Sequence, residues 1–343
     1  MNIKFVGLLL SYTFACAFVT SLAHAQEATP IDVALGDVSL NKVAFLVAED
    51  NGIYKKYGLS IKQFITAQAA DRIQRSGVTV PKEFIGSNER DANAPISIGG
   101  GSPLIYTMTT DARSVDRVII ATTDNSARFH IIASKEIAGV DDLKGKRLGY
   151  SVNGSVSHLM ALAFLKQKKW SPESDISLMS EGMAYPALKD KKVDAFIGSE
   201  IYYTMASKNG AKDLVDLSEF NIPLAGSGVN VERKWFEKNK PQAQQFLQAM
   251  IEAYALMKND KSVVQAALSK WYNITDAKQQ NEMYAQVVTT PEKPYPAVDG
   301  IELVMQLFTH RELKRQKATF FYDSSMIEQL DKSGFIDRVY ARK

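Results

Sequence analysis

The chain has 343 residues and is nearly neutral, with 41 lysine and arginine residues against 38 aspartate and glutamate residues. Nucleic-acid-binding proteins usually carry a strongly basic stripe, so this balance argues against a nucleic-acid partner. The single cysteine, Cys16, lies in the N-terminal apolar segment. Its position excludes a disulfide, a thiol nucleophile and a zinc–thiolate site from the rest of the chain.

Residues 1–25 have the pattern of a secretory signal peptide. Lys4 gives a positive start, a short apolar run follows, and Ala-His-Ala at 23–25 is a small-x-small cleavage signal. The apolar run is short for a membrane span. We therefore predict export to the periplasm, with cleavage after Ala25. Lipoprotein processing at Cys16 is the alternative, although the residues before this cysteine lack the usual leucine.

Short apolar runs alternate with helical patterns after the signal, which predicts βα units and parallel-rich sheets with helices on both faces. Polar, glycine- and proline-containing residues 66–95 predict loop with some helix. The last hundred residues are mainly helical, with Trp271, Tyr272 and Met283 predicted in the core. The predicted strands are 31–35, 59–64, 96–98, 118–122, 129–133, 148–152 and 195–197, and the clearest helices are 42–48 and 241–257.

Familiar enzyme signatures are missing from this sequence. The region around Gly145-Lys146 fails the Walker pattern, and neither G-x-S-x-G nor H-E-x-x-H occurs. Three of the four histidines lie beyond the signal, far apart and without the spacing of a metal site. We predict no catalytic residue, no cofactor and no metal.

Gly99 to Pro103 forms a glycine-rich turn between a predicted strand and a predicted helix. Gly100 and Gly101 allow a ligand to approach the backbone closely. Ser102 is predicted to cap the helix, with Pro103 at its first position. The unpaired N–H groups and dipole of such a helix start favour an anion, although the same pattern also fits an ordinary capped turn.

A second turn of this kind spans Asn153 to Ser157. Asn153 and Gly154 form the turn, Ser155 and Ser157 offer hydroxyl groups, and a helix start follows. An ordinary helix cap is again the alternative. Two such turns in one chain predict an anion site with one wall from each lobe.

The segment 122–130 joins two predicted strands and is interpreted as a crossing between lobes. Arg128, within it, is a candidate clamp for a carboxylate or sulfonate, because a guanidinium forms paired hydrogen bonds with such groups. An ion pair with Asp124 or a nearby acid is the alternative. Ser199 and Glu200 end another predicted strand, and Glu200 either accepts from an amine or caps a helix.

Several motifs together resemble the type II solute-binding proteins of ABC importers. Residues 142–149 (DLKGKRLG) followed by Gly154-Ser155, and residues 193–196 (VDAF), are similar to stretches of that family. Residues 43–59 and Phe321-Tyr322-Asp323 are similar to its nitrate/sulfonate/taurine and thiamine-precursor branch. One departure is that the chain between Phe64 and Ile96 is longer than usual.

This resemblance implies a two-lobed type II periplasmic binding protein fold of the α/β class, with a ligand cleft at the hinge. We divide the chain into the first part of lobe 1 at 26–125, lobe 2 at 126–224, and a return to lobe 1 with C-terminal helices at 225–343. Carried over by position, the cleft residues are Ser39, Asn41, Gly100, Gly101, Ser102, Asn153, Gly154, Ser155, Ser157, Ser199 and Glu200, to which the clamp hypothesis adds Arg128.

The predicted function is capture of a small organic anion, a sulfonate or carboxylate, by a monomer that delivers it to an ABC permease in the cytoplasmic membrane. A neutral heterocycle such as a pyrimidine precursor of thiamine is the alternative solute, with tyrosine stacking. A sensor subunit and an enzyme of the same superfamily are further alternatives. The absence of cysteine after the signal argues against the cysteine-dependent pyrimidine synthase.

Overall fold

The computed structural model describes residues 30–341 except 126, 288 and 289. The predicted signal peptide, its cleavage after Ala25 and the lipidation alternative at Cys16 lie outside the described residues. The strands are β1 (Ile31–Leu35), β2 (Ile61–Ile65), β3 (Ile96–Gly100), β4 (Arg117–Thr122), β5 (Phe129–Ala133), β6 (Arg147–Gly149), β7 (Ser177–Met179), β8 (Ala195–Ser199), β9 (Lys212–Asp216) and β10 (Ser227–Glu232).

The α-helices fill the intervals between strands and most of the C-terminal third. They are α1 (Val43–Asp50), α2 (Ile53–Lys56), α3 (Ala67–Gln74), α4 (Asn88–Asn93), α5 (Gly101–Thr110), α6 (Val156–Lys168), α7 (Tyr185–Lys189), α8 (Glu200–Lys208), α9 (Arg233–Lys238), α10 (Lys240–Asn259), α11 (Lys261–Tyr272), α12 (Ala277–Val287), α13 (Val298–Leu307), α14 (Arg311–Lys314), α15 (Ser325–Lys332) and α16 (Phe335–Tyr340).

The strands form two five-stranded sheets, one in each lobe. The order is β2-β1-β3-β10-β4 in lobe 1 and β7-β6-β8-β5-β9 in lobe 2. Both sheets are built alike, because three parallel strands are followed by one antiparallel strand, β10 or β5, and then by an edge strand. The predicted mixed, parallel-rich architecture is confirmed.

The chain passes between the two sheets twice. Residues 123–128 lead from β4 to β5, and residues 217–226 lead from β9 to β10. The first passage confirms that segment 122–130 crosses between lobes. Each antiparallel strand is thus the first one that the chain forms after a crossing. The lobe boundaries at 125 and 224 stay a prediction.

Helix α10 contributes a large part of the core of lobe 1. Its residues Phe246, Leu247, Met250 and Ile251 are buried, as the helical spacing predicts. Trp271, Tyr272 and Met283 are also buried, which confirms their predicted place in the core. None of the helices in the described ranges is long and apolar enough to cross a membrane.

Candidate ligand-binding site

A cavity of about 600 Å³ lies between the two lobes. Its walls include the segments that follow the carboxyl ends of β1, β3, β6 and β8, which is where α/β sheets usually bind ligands. The predicted site residues that line it are Ser39, Asn41, Gly100, Arg128, Asn153, Ser155, Ser157, Ser199 and Glu200. The two predicted turns therefore share one cavity.

Gly101, Ser102 and Gly154 do not line this cavity but lie at contacts around it. The N–H of Gly101 donates to the carbonyl oxygen of Ala225 at 2.7 Å. The Ser102 hydroxyl, fully buried, donates to the carbonyl oxygen of Gly154 at 2.8 Å, so it joins the two lobes directly. Gly154 has φ of +81°, and an added Cβ would lie 2.2 Å from the ring of Tyr106.

The predicted cap at the start of α5 is wrong. Gly100 is the N-cap residue, so Ser102 and Pro103 fall at the second and third helical positions. The reason is that β3 continues through Gly100, where the backbone is still extended, and the helix begins at Gly101 without a serine cap.

The second turn does form a serine cap. The Ser155 hydroxyl accepts from the N–H of His158 at 3.2 Å, and the Ser157 hydroxyl accepts from the N–H of Ser151 at 2.9 Å. Asn153 Oδ1 accepts from the Tyr150 hydroxyl at 2.6 Å. These side chains thus hold the turn in shape. The N–H group of His158 is therefore taken by the cap, and the N–H groups of Val156 and Ser157, which lack partners within the helix, remain for a ligand.

Arg128 is surrounded by polar groups, and we name Asn41, Asp124, Arg128 and Glu200 the hinge cluster. The Arg128 guanidinium lies 3.4 Å from a carboxylate oxygen of Asp124 and 3.4 Å from one of Glu200. It also donates to Asn41 Oδ1 at 2.6 Å. Two carboxylates therefore offset the charge of Arg128. These contacts agree with the alternative in the sequence analysis, in which Arg128 forms an ion pair with Asp124 or a nearby acid. Whether it also clamps a ligand stays a prediction.

Burial shapes the protonation of this cluster. Burial raises the pKa of Glu200 to about 7, although the nearby Arg128 opposes that shift. Burial also opposes the charge of Arg128, but Asp124 and Glu200 outweigh it and leave the arginine pKa raised. The side-chain carboxyl of Glu200 therefore titrates close to neutral pH, beside the cavity.

Arg72 on α3 is a cavity residue that the sequence analysis missed. It lines the cavity together with Gln68, one helical turn earlier. No salt bridge joins Arg72 to a carboxylate within the part of the chain that the structure describes, whereas Arg75 pairs with Asp71 at 2.9 Å. The spacing of Gln68 and Arg72, four residues apart on one helical face, is the signal that could have found this residue, but residues 66–95 were predicted as loop with some helix and no helix was assigned there.

Lys42, which the sequence analysis also missed, lies behind the residues that line the cavity. Its side chain is fully buried, with the ammonium 2.5 Å from Asp37 and donating to the Ser227 hydroxyl at 2.6 Å. Asp37 and Ser227 line the cavity with Ser39, but Lys42 does not. The lysine charge is therefore used within the protein.

Apolar side chains complete the lining, including Leu104, Met108, Val152 and Met183. A mixed lining of this kind suits an organic ligand with one charged or polar group and an apolar part. Within the described ranges, no group of three or more histidine, cysteine, aspartate or glutamate residues is arranged to hold a metal ion.

Comparisons with known proteins agree with this architecture. Residues 100–262 match the family model described as NMT1/THI5 like. A protein of Brachyspira hyodysenteriae described as an ABC transporter periplasmic binding protein is 27% identical over 197 residues, which are 57% of this chain. That match covers 54% of the relative, so the chain spans about half of its length.

Two solved structures share the fold at low identity. The nitrate-binding protein NrtA from Synechocystis PCC 6803 has a TM-score of 0.70 and 14% identity, covering 90% of this chain and 89% of NrtA. The alkanesulfonate-binding protein SsuA from Xanthomonas axonopodis pv. citri, bound to MOPS, has a TM-score of 0.61 and 16% identity, covering 82% of this chain and 92% of SsuA.

The chain thus has the two-lobed periplasmic binding protein fold predicted from its sequence. The predicted resemblance to the nitrate/sulfonate/taurine and thiamine-precursor branch of the solute-binding proteins is also confirmed.

Proposed function

We propose that the chain is the solute-binding component of an ABC importer and that it captures a small organic anion in the periplasm. One observation carries the anionic part of this proposal. Arg72 lines the interlobe cavity without a salt bridge to the described residues, whereas Arg128 and Lys42 both have carboxylate partners. A guanidinium in this position favours a carboxylate or sulfonate, because it can form two parallel hydrogen bonds with either group.

The opposite wall supports the same ligand class. Helix α6 begins at the cavity, next to Ser155 and Ser157, so its first N–H groups and the positive end of its dipole favour negative charge. Since Arg72 belongs to lobe 1 and α6 to lobe 2, an anion that contacts both would favour the closed arrangement of the lobes.

We propose that closure bends the chain at the two crossings, which join β4 to β5 and β9 to β10. A ligand held by both lobes is then buried, which is a hinge-type transition that needs no bond making. We accordingly propose that the protein acts as a monomer without catalysis. Its closed form would be the one that an ABC permease recognises.

A thermal-shift screen of the mature protein tests the proposal. A ligand that binds only the folded chain at a hundred times its dissociation constant stabilises it by about 2.7 kcal/mol. We expect sulfonates or carboxylates to raise the melting temperature, and nitrate and pyrimidines to have smaller effects. Stabilisation by pyrimidines alone would contradict the anionic proposal.

A neutral heterocycle is the second candidate, because two aromatic side chains, Phe129 and Tyr202, line the cavity. Such rings can stack on a pyrimidine. The Arg72→Gln variant separates the candidates, since it should weaken binding of an anion and leave binding of a neutral ring nearly unchanged.

A further inference from the structure

The cavity continues from the hinge into lobe 1, along one face of the first sheet. We name this extension the lobe 1 chamber and define it by the cavity-lining residues Ser97, Met108, Val115, Arg117 and Asn230. Ser97 lies three residues before the end of β3, and Arg117 lies five residues before the end of β4. At about 3.3 Å per strand residue, these residues lie about 10 and 17 Å from the interlobe edge of the sheet.

Small side chains create the space for this chamber. Ser97 pairs with Ala34 on β1, and both side chains lie on the same face of the sheet, as does Gly99 two residues further along β3. The alternate residues Ile96 and Ile98 lie on the other face and are fully buried in the core of lobe 1. On the chamber face the small residues are therefore confined to the middle strands, since Phe64 on β2 and Ile119 on β4 flank them at the same level.

Asn230 places an unused hydrogen-bond acceptor in the chamber wall. It lies opposite Ser97 in the antiparallel register of β3 and β10. Its side-chain nitrogen donates to the Gly99 carbonyl oxygen at 3.1 Å, and the residue is only 2% exposed. Its Oδ1 has no hydrogen-bond partner in the described ranges. An unpaired buried acceptor is costly, so a ligand donor at this point would be favoured.

The charged groups nearby also favour a donor. Arg117 directs its guanidinium at the backbone carbonyl oxygens of Ala94, Pro95 and Asn230, so three of its five N–H groups are already engaged. Asp91 lines the same end of the cavity, where burial raises the pKa of its carboxyl group. The chamber end is therefore better supplied with acceptors than with available donors.

We propose that the lobe 1 chamber binds the far end of an elongated organic anion, and that this end carries a hydrogen-bond donor such as a hydroxyl or amino group. The proposal rests on the proposed function, since the anionic end of the same molecule would lie between the lobes at Arg72. It narrows the solute class to anions with an extended carbon chain and a polar terminus.

Isothermal titration calorimetry with matched probes tests the proposal. The probes are short-chain and long-chain alkanesulfonates and alkanecarboxylates, each with either a terminal methyl or a terminal hydroxyl group. We expect the long hydroxyl-terminated probes to bind about tenfold more tightly than the methyl-terminated probes of equal length, because they satisfy Asn230 Oδ1. Equal affinities within each long pair would overturn the proposal.

The Asn230→Leu variant should abolish the preference for the terminal hydroxyl within each long pair of probes. Asn239→Leu is the matched control, because the Asn239 amide donates to the Trp235 carbonyl oxygen and lies outside the cavity lining. A preference for hydroxyl that survives in Asn230→Leu would count against the assignment.

If Asn230→Leu does not fold, Ser97→Val narrows the chamber from the facing strand and should selectively weaken the long probes. Equal weakening of short and long probes would contradict the chamber. If short and long anions bind with no preference for chain length or for the terminal group, the chamber proposal fails and the proposed function stands. If no anion binds the wild-type protein, the proposed function and the chamber proposal fail together.

Discussion

Two arginines line the same cavity in opposite electrostatic settings. Arg128, at the crossing between lobes, has Asp124, Glu200 and Asn41 as close partners. Arg72, on a lobe 1 helix, has no salt bridge to any residue that the structure describes. The difference shows that an arginine beside a cavity is available to an anion only to the extent that the protein leaves its charge uncompensated.

The largest expected effect is on stability, at Arg128. Arg128→Ala leaves the buried carboxylates of Asp124 and Glu200 without their cation, and breaking a buried pair in this way costs about 3–5 kcal/mol. Urea denaturation measures the loss. Arg75→Ala, which removes an exposed arginine paired with Asp71, is the control and should cost less than about 1 kcal/mol. Similar losses of stability in both variants would contradict the view that Arg128 neutralises buried carboxylates.

Glu200 gives the next largest effect and a pH signature. Its pKa is raised by burial from 4.5 to about 7, so the folded chain holds this proton more tightly than the unfolded chain. The resulting stability is fully present below pH 4.5 and is lost as pH rises through about 7. At 1.36 kcal/mol per pKa unit, the loss amounts to about 3 kcal/mol.

Glu200→Gln removes this titration. Denaturation at several pH values between 5 and 8 should therefore show wild type losing stability relative to the variant as pH rises. Parallel curves for the two proteins would mean that Glu200 keeps an ordinary pKa, and the hinge cluster would then be less dry than its burial indicates.

Arg72 should dominate ligand affinity with little effect on stability. Arg72→Gln removes a charged hydrogen bond to the anion, worth about 1.5–3 kcal/mol, which corresponds to a loss of about 10- to 150-fold in affinity. Arg75→Gln is the matched control on the same helix and should bind normally. If Arg128→Gln weakens binding more than Arg72→Gln in folded protein, the predicted clamp at Arg128 is the better assignment.

Ser155 gives the smallest effect. Ser155→Ala removes the cap of α6 and should destabilise the protein by about 1 kcal/mol, as measured by thermal unfolding. Because the hydroxyl acts within its own turn, ligand affinity should change less than in Arg72→Gln. A larger loss of affinity than of stability would mean that the Ser155 hydroxyl itself contacts the anion.

The sequence predicted the cavity walls better than it predicted the cavity charges. Turns rich in glycine and serine can be recognised in the sequence after buried strands. Because parallel strands align their carboxyl ends, such turns are expected at one edge of the sheet, and Gly100 and Ser155 were correctly predicted to line one cavity. Arg72 was missed because a stretch with glycine and proline, from Gly77 to Pro95, follows the short helix α3, and the two together were predicted as loop with some helix. The buried role of Lys42 depends on Ser227, which is distant in sequence and is brought close only by β10.

Strands β7, β9 and β10 were also not predicted. Strand β7 has only three residues and β9 is largely polar, so neither gives a clear apolar pattern. In β10, Gly228 and Asn230 interrupt the apolar residues. Gly228 and Asn230 are buried because the neighbouring strands β3 and β4 lie on either side of β10. This is a tertiary effect, which the local sequence pattern does not reveal.

The hydrogen bond between the Ser102 hydroxyl and the Gly154 carbonyl oxygen joins the two lobes through groups of the protein itself. Under the proposed closure of the lobes, this hydrogen bond contributes part of the free energy of the closed arrangement. Substitutions at this contact would shift the open–closed equilibrium and change the apparent affinity for all solutes by a common factor. Selectivity among solutes would stay the same, so substitutions at this contact would adjust affinity without changing selectivity.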